Sequence, residues 1–359
     1  MKFRKIIVTG NILRVPARKN PKESNQNINI SWLYNLLHPT LSQVFKMEVS
    51  PLYWTTNSSF DSSYVYQEQG LSVSVENFSY LYDSKKISPS VLDYFKHHFN
   101  NCLVIGLELP PIMVKIFDKI GIEYLDFMFH PARFMPDLVM GIRTNSKPVY
   151  DKISQYRVNE DWLYSYAGLR RAVFHKQKST LKPYSALLTG QVYGDTSLIT
   201  PNGGYYEYKD FAEKIESIIE NHEHLYIKQH PLNKETNFLD MFKTSHNISF
   251  VNDNFYKLIS SSSIVTVSAL TSSTVYESRY FGKNSSWLAP YPFDFSILDQ
   301  SFNKFRYVPI FLSFLKADFW RHLYSDVDAN PSIQTQLLEF ESGILRKSLG
   351  VDWGFDVFK

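Results

Sequence analysis

The sequence predicts an α/β protein of two domains, the second of them a parallel sheet with helices on both faces. Length is the first observation: 359 residues exceed what one core of ordinary size organises, so two domains are expected. Alternation is the second: from Ser185 onward, short apolar runs and amphipathic stretches succeed one another. The third is position. Polar residues suited to holding phosphate stand where the apolar runs end, and sheets of this kind bind ligands beyond the carboxyl ends of their strands.

Taken in order, Ile6-Ile7-Val8 reads as the first strand, stopping at Thr9-Gly10. The stretch from about Asn20 to Lys85 is rich in Asn, Ser and Tyr and shows no legible order. Ser88 is a candidate N-cap for a helix carrying Val91, Leu92 and Phe95. Leu103–Leu107 is a strand, Pro110-Pro111 opens a helix through Ile112, Val114, Ile116 and Phe117, and Tyr124–Phe129 is a further strand. In the second half, Ser185–Thr189 is a buried-strand candidate, and Phe211, Ile215, Ile218 and Ile219 repeat at helical spacing. There follow a strand at Leu225–Ile227, a short helix near Phe238–Met241, and a strand at Ile248–Val251. A helix at Phe255–Ile259, a strand at Ile264–Val267, a helix from Ser272 and a strand at Ser286–Leu288 complete the series. A last helix is expected over Ile333–Leu345. The domains expected are therefore residues 1–178 and 179–332, with 333–359 as a C-terminal helix packing back on the first.

Composition excludes several classes. Apolar content of 44% with 20% charge fits a soluble globular chain. A net charge of +3, with basic residues scattered, argues against a nucleic-acid partner. The single cysteine, Cys102, allows no internal disulfide and lies in an apolar run, as a buried inert thiol does. The basic start, Met1–Lys5, leads into too short an apolar run for a signal peptide, and no stretch approaches a transmembrane length. A cytoplasmic protein is expected, with peripheral membrane contact left open.

The polar residues at the strand ends carry the chemistry. In Lys228-Gln229-His230-Pro231 the lysine supplies charge, and the imidazole can donate to a phosphate oxygen as its ester bond breaks. Thr271-Ser272-Ser273 opens a helix, where hydroxyls, free N–H groups and the dipole favour an anion; ordinary N-capping by one serine is the plainer reading. Glu277, one turn on, suits ribose hydroxyls better than phosphate, or is simply an exposed helix residue. Asp195, at the end of the Ser185–Thr189 unit, would attack an anomeric carbon or stabilise an oxocarbenium ion, or else caps its own loop. In the first half, Glu108 is a candidate base for an acceptor hydroxyl. His130, Arg133 and Asp137 form a polar cluster after a strand: Arg133 would pair with a substrate carboxylate, and a structural ion-pair network is the alternative. Two tempting patterns are set aside. The strand after His222-Glu223-His224 carries His230 away from any shared metal, and Asp326-Val327-Asp328 reads as loop capping beside Asn330-Pro331. No metal and no cofactor are expected.

Gln191-Val-x-x-Asp195, Lys228-x-His230-Pro231 and Ser272-Ser273-x-x-x-Glu277, in this order, resemble motifs of the retaining β-Kdo transferases of bacterial capsule and O-antigen assembly. Gly106-x-Glu108-Leu109-Pro110 and His130-Pro131-x-Arg133-Phe134 with Asp137 extend the resemblance, which runs from about Leu103 to Gly282. It implies a GT-B architecture: two Rossmann-like domains across a cleft, the first on the acceptor side and the second binding CMP-Kdo. It implies a covalent Kdo adduct on Asp195 as nucleophile, Glu108 as acid/base and His230 assisting departure of CMP. Gln191, Lys228, Ser272, Ser273, Glu277 and Arg133 would hold the donor. A lipid-linked glycan acceptor at the inner face of the inner membrane, and association with other glycan-assembly enzymes, are the implied partners. Two alternatives stand beside it: an inverting CMP-sialic acid transferase of GT-B fold, which needs no enzyme nucleophile, and a non-catalytic glycan- or nucleotide-binding component of envelope assembly.

Overall fold

The computed structural model describes residues 3–15, 26–55, 58–175, 177, 179–231, 247–297, 299, 301–325 and 339–358. Among the described residues, eleven strands form two sheets. The first sheet contains β1 (Lys5–Val8), β2 (Glu48–Pro51), β3 (Cys102–Leu107), β4 (Glu123–Phe129) and β5 (Met140–Thr144). The second contains β6 (Ser185–Thr189), β7 (His224–Lys228), β8 (Ile248–Phe250), β9 (Ile264–Ala269) and β10 (Asn284–Trp287). The last strand, β11 (Val308–Ile310), returns to the first sheet, whose order is β11-β5-β4-β3-β1-β2. The second sheet runs β10-β9-β6-β7-β8, every pair parallel. The expected parallel α/β second half is therefore present.

The first sheet is mixed. Strands β2, β1, β3 and β4 are parallel, whereas β5 pairs antiparallel with β4 and β11 antiparallel with β5. Sheet membership thus departs from the expected boundary at residue 332, because Val308–Ile310 covers the open edge of β5. Helix α1 (Asn27–Phe45) fills the stretch that showed no pattern, burying Ile30, Leu33, Leu37, Leu41 and Phe45 at helical spacing beneath the first sheet's strands. Helices α2 (Ser62–Glu68), α3 (Val75–Tyr82) and α4 (Pro89–Phe99) follow it. Ser88 caps α4 as expected, its hydroxyl accepting from the Val91 N–H. Then come α5 (Pro111–Ile120), α6 (Lys147–Ser154), α7 (Glu160–Phe174), α8 (Ala212–Glu220), α9 (Phe255–Ser260), α10 (Ser273–Tyr280) and α11 (Ala317–Tyr324).

The expected helix near Phe238–Met241, the Asp326–Asp328 pattern and most of the expected last helix lie outside the described residues. Gly343 (φ 67°) separates residues 339–341 from a short α12 (Ile344–Leu349), which docks on the first half. There the Asp137 carboxylate accepts the Leu345 and Arg346 N–H groups, each at 2.9 Å. Cys102 is buried, and burial pushes its thiol up to about 12, so it is inert at neutral pH.

Candidate functional site

At the carboxyl edge of the second sheet, the ends of β6 and β7 nearly touch. A Cβ on Gly190 would lie only 3.1 Å from the His230 backbone nitrogen, a tight approach that the glycine relieves. Gly190 N–H donates to the Lys228 carbonyl at 2.8 Å, which keeps Lys228 and His230 beside the 191–195 loop. Burial lowers the pKa of both Lys228 and His230, against the raising effect of Asp253 on the lysine and of Asp195 on the imidazole. The Asp195 carboxylate also accepts the Ser197 N–H at 3.1 Å, capping the short turn Thr196–Leu198.

Gln191 does something other than meet a donor. Its buried amide nitrogen donates to Ser197 (3.2 Å) and Thr271 (3.1 Å), and its oxygen accepts the Thr271 N–H at 2.7 Å. It braces the Asp195 loop against the turn that opens α10, so its contribution is to placement. In that turn Ser272 is the N-cap, accepting from the Thr274 N–H at 3.3 Å. Ser272 and Ser273 remain half-buried at the helix start, where backbone N–H groups favour an anion.

The carboxyl edge of the first sheet faces this one. Glu108 leaves β3 in a left-handed conformation (φ 56°), uncommon for a side chain of this size. A buried network locks it there. Asp126 accepts the Leu109 N–H (2.9 Å), the Arg143 guanidinium (2.8 Å) and the Tyr307 hydroxyl (2.7 Å), while Arg143 also donates to the Leu109 carbonyl at 2.8 Å. Burial raises the Glu108 pKa; Arg14 opposes this and Asp195 adds to it. Arg14, in the loop after β1, donates to the Gly194 carbonyl at 3.1 Å and so ties the first half to the Asp195 loop.

Glu277 is buried between the two halves rather than open to a ribose. Its Oε2 accepts the Arg133 backbone N–H (2.9 Å) and the Tyr256 hydroxyl (2.7 Å), and burial pushes its carboxyl up to about 7. The Arg133 guanidinium lies 4.1 Å from the Trp353 ring centre and 5.4 Å from that of Phe129. Its Nη1 is buried and makes no hydrogen bond among the described residues. His130 is structural: burial holds its imidazole down to about 3, Nδ1 accepts the Ala132 N–H at 3.2 Å, and Nε2 meets the Tyr276 hydroxyl at 3.3 Å. Asp137 is likewise committed, to the start of α12.

Two facing edges thus bring together Glu108, Arg14 and Arg133 on one side with Asp195, Lys228, His230, Ser272 and Ser273 on the other. Gln191 and Glu277 support this group from behind. Thr271, expected to offer a hydroxyl to an anion, instead braces Gln191, and Arg14 was legible only from its position shortly after the first strand. Among the described residues, no three His, Cys, Asp or Glu side chains gather as metal ligands do, and no helix is long and apolar enough to cross a membrane.

A helix start with free N–H groups, an imidazole and two carboxyl groups, Asp195 and Glu108, thus lie near one another at the facing edges. Residues 95–288, more than half of the chain, match the model of the alpha-2,8-polysialyltransferase family (POLYST). The chain belongs to that family, and it is a glycosyltransferase of the CMP-sugar type. Two solved structures of Thermosulfurimonas dismutans KpsC are similar to it. The beta Kdo 2,7 transferase shares 14% identity at a TM-score of 0.40, covering 94% of this chain and 99% of that one. The beta Kdo 2,4 transferase shares 12% at 0.37, covering 77% of each chain. No curated protein matches.

Proposed function

We propose that this chain transfers an acidic sugar, sialic acid, from its CMP ester to a glycan hydroxyl with inversion. The observation that carries the reading is that a buried carboxyl from the first sheet, Glu108, and an imidazole from the second, His230, both lie within the electrostatic reach of Asp195, in a chain of the polysialyltransferase family. Glu108 would take the proton from the acceptor hydroxyl as its oxygen bonds to the anomeric carbon. The bond from that carbon to the phosphate oxygen breaks in the same step, His230 donates to the departing oxygen, and CMP leaves. The lowered His230 pKa leaves a neutral imidazole, an N–H donor, until bound phosphate raises its basicity. Lys228 and the Ser272–Ser273 helix start would hold the phosphate. Arg133, with a nitrogen left unpaired, would meet the sugar carboxylate. On this reading the two facing sheets are the halves of a GT-B enzyme, with no metal required.

A second reading keeps the double displacement expected of the β-Kdo transferases, with Asp195 as nucleophile and CMP-Kdo as donor. Its support is that the Asp195 carboxylate acts electrostatically on both His230 and Glu108. A donor screen by mass spectrometry separates the two, combined with the anomeric configuration of the product by NMR. Turnover of CMP-sialic acid with inversion is expected. Asp195→Asn should then retain a measurable fraction of activity, since capping of the Thr196–Leu198 turn survives in the amide. Turnover of CMP-Kdo only, with a sugar adduct in the intact mass of Glu108→Gln, would replace the first reading with the second.

A further inference from the structure

The carboxyl-terminal segment lays three aromatic rings on three arginines. Phe358 and Phe355 each stack on Arg170, with the guanidinium 4.7 Å from either ring centre, and Phe355 also covers Arg346 at 4.2 Å. Trp353 covers Arg133 at 4.1 Å. Arg170 donates to the Phe134 carbonyl, and Arg346 to the carbonyls of Arg133, Met135 and Asp352, its buried Nε alone lacking a partner among the described residues. Arg133 differs. Trp353 and Phe129 flank its guanidinium, its backbone is held by Glu277 and Arg346, and its Nη1 is buried with no hydrogen-bond partner among the described residues. A buried cationic nitrogen costs free energy unless an anion meets it.

Trp353 reaches this position from a left-handed backbone conformation (φ 46°), next to Gly354 (φ 79°). That conformation is strained for an aromatic residue. Two contacts over-determine it: the Gly354 carbonyl accepts from Asn254 at 2.9 Å, and Arg346 grips the Asp352 carbonyl at 2.8 Å. At 43% exposure the indole is only partly covered, and it meets the Arg133 guanidinium over its face and the Phe129 ring edge-on at 5.5 Å.

We infer that Trp353 is a positioning residue for donor selection, holding the Arg133 guanidinium so that its unpaired nitrogen meets the carboxylate of an acidic CMP-linked sugar. The inference rests on the proposed CMP-sugar function and adds the carboxyl-terminal segment to the donor site. It makes discrimination between acidic and neutral donors depend on residues far along the chain from every strand-end motif.

The test is calorimetric binding of CMP, CMP-sialic acid and CMP-Kdo to the full chain, in wild type, Trp353→Ala, Trp353→Phe and Arg133→Lys. Wild type should bind at least one CMP-sugar more tightly than CMP. Trp353→Ala should weaken that CMP-sugar about tenfold, the scale of a desolvated cation–π contact, while leaving CMP within twofold. Trp353→Phe should recover most of the loss, and Arg133→Lys should resemble Trp353→Ala. Equal weakening of CMP and CMP-sugar by Trp353→Ala would overturn the positioning role and indicate general damage to the fold. No change in either would overturn it as well. Wild type that binds neither CMP-sugar would instead overturn the functional reading, and with it the inferred carboxylate; that failure shows in the unmutated chain, before any variant is compared.

Discussion

The two carboxyl edges that meet at the cleft are built differently. The second sheet presents its polar groups from regular βα units: a strand ends, a loop carries Lys228 and His230, and a capped helix begins at Ser273. Each feature is local, and each donor is of a kind that any leaving phosphate accepts. The first sheet presents Glu108 from a left-handed residue that depends on Asp126, Arg143 and Tyr307, which come from three separate strands or loops. Holding a leaving group tolerates generic donors, whereas taking a proton from one hydroxyl requires a carboxylate fixed in place. On the proposed roles, the strained, long-range construction sits on the side where placement matters more.

The largest expected effect tests that division. Glu108→Gln should lower kcat by about 10²–10⁴-fold with little change in donor KM, whereas His230→Ala should cost roughly 10²-fold and also respond to the leaving group. Because burial raises the Glu108 pKa, the acid limb of the rate profile should lie above the ordinary glutamate range, with rate lost as pH falls through it. An acid limb near an ordinary glutamate value would remove Glu108 as the base.

Arg143→Met should cost about 3–5 kcal/mol in urea unfolding, because it leaves Asp126 buried without its cation. The same change at an exposed pair such as Lys147–Asp151 should cost less than about 1 kcal/mol. If the two losses were similar, the buried pair would not be what supports the Glu108 turn.

The smallest effect concerns Glu277, the latch between the halves. Its carboxyl is raised from an ordinary value of 4.5 to about 7, so the folded chain binds that proton more tightly than the unfolded chain. The stability this contributes is complete below pH 4.5 and is lost as pH rises through 7, amounting to at most about 3 kcal/mol. Glu277→Gln, whose amide oxygen can still accept from Arg133 and Tyr256, should remove that slope. Thermal melts of both proteins from pH 4.5 to 8 would show it, and parallel curves would indicate that Glu277 titrates alike in the folded and unfolded chains.

Legibility in the sequence follows the same division. The second sheet's strands alternate with helices at short range, and Ser185–Thr189 and Ile264–Val267 were visible as apolar runs. Strand β5 was not visible, because Arg143 lies within it and a charged residue reads as surface unless its buried partner Asp126 is known. Helix α1 was hidden by Pro39 and by the Asn and Ser residues between its buried positions, although Ile30, Leu33, Leu37, Leu41 and Phe45 repeat at helical spacing. Strand β11 is three residues long and closes an edge laid down more than 160 residues earlier, which no local pattern announces.

The amino-acid sequence by itself determined the α/β class, the parallel second sheet and the residue types at its strand ends, because strand periodicity, capping and helix-start chemistry act over a few neighbouring residues. Tertiary structure decided what those residues do. Gln191 became a brace and Glu277 a latch because burial between loops satisfied their polar atoms with protein partners. Arg133 was left with an unpaired nitrogen because Trp353, 220 residues away, covers its face without accepting a hydrogen bond. Hydrogen bonds and stacking between distant segments depend on three-dimensional proximity, and only the packed fold supplies it.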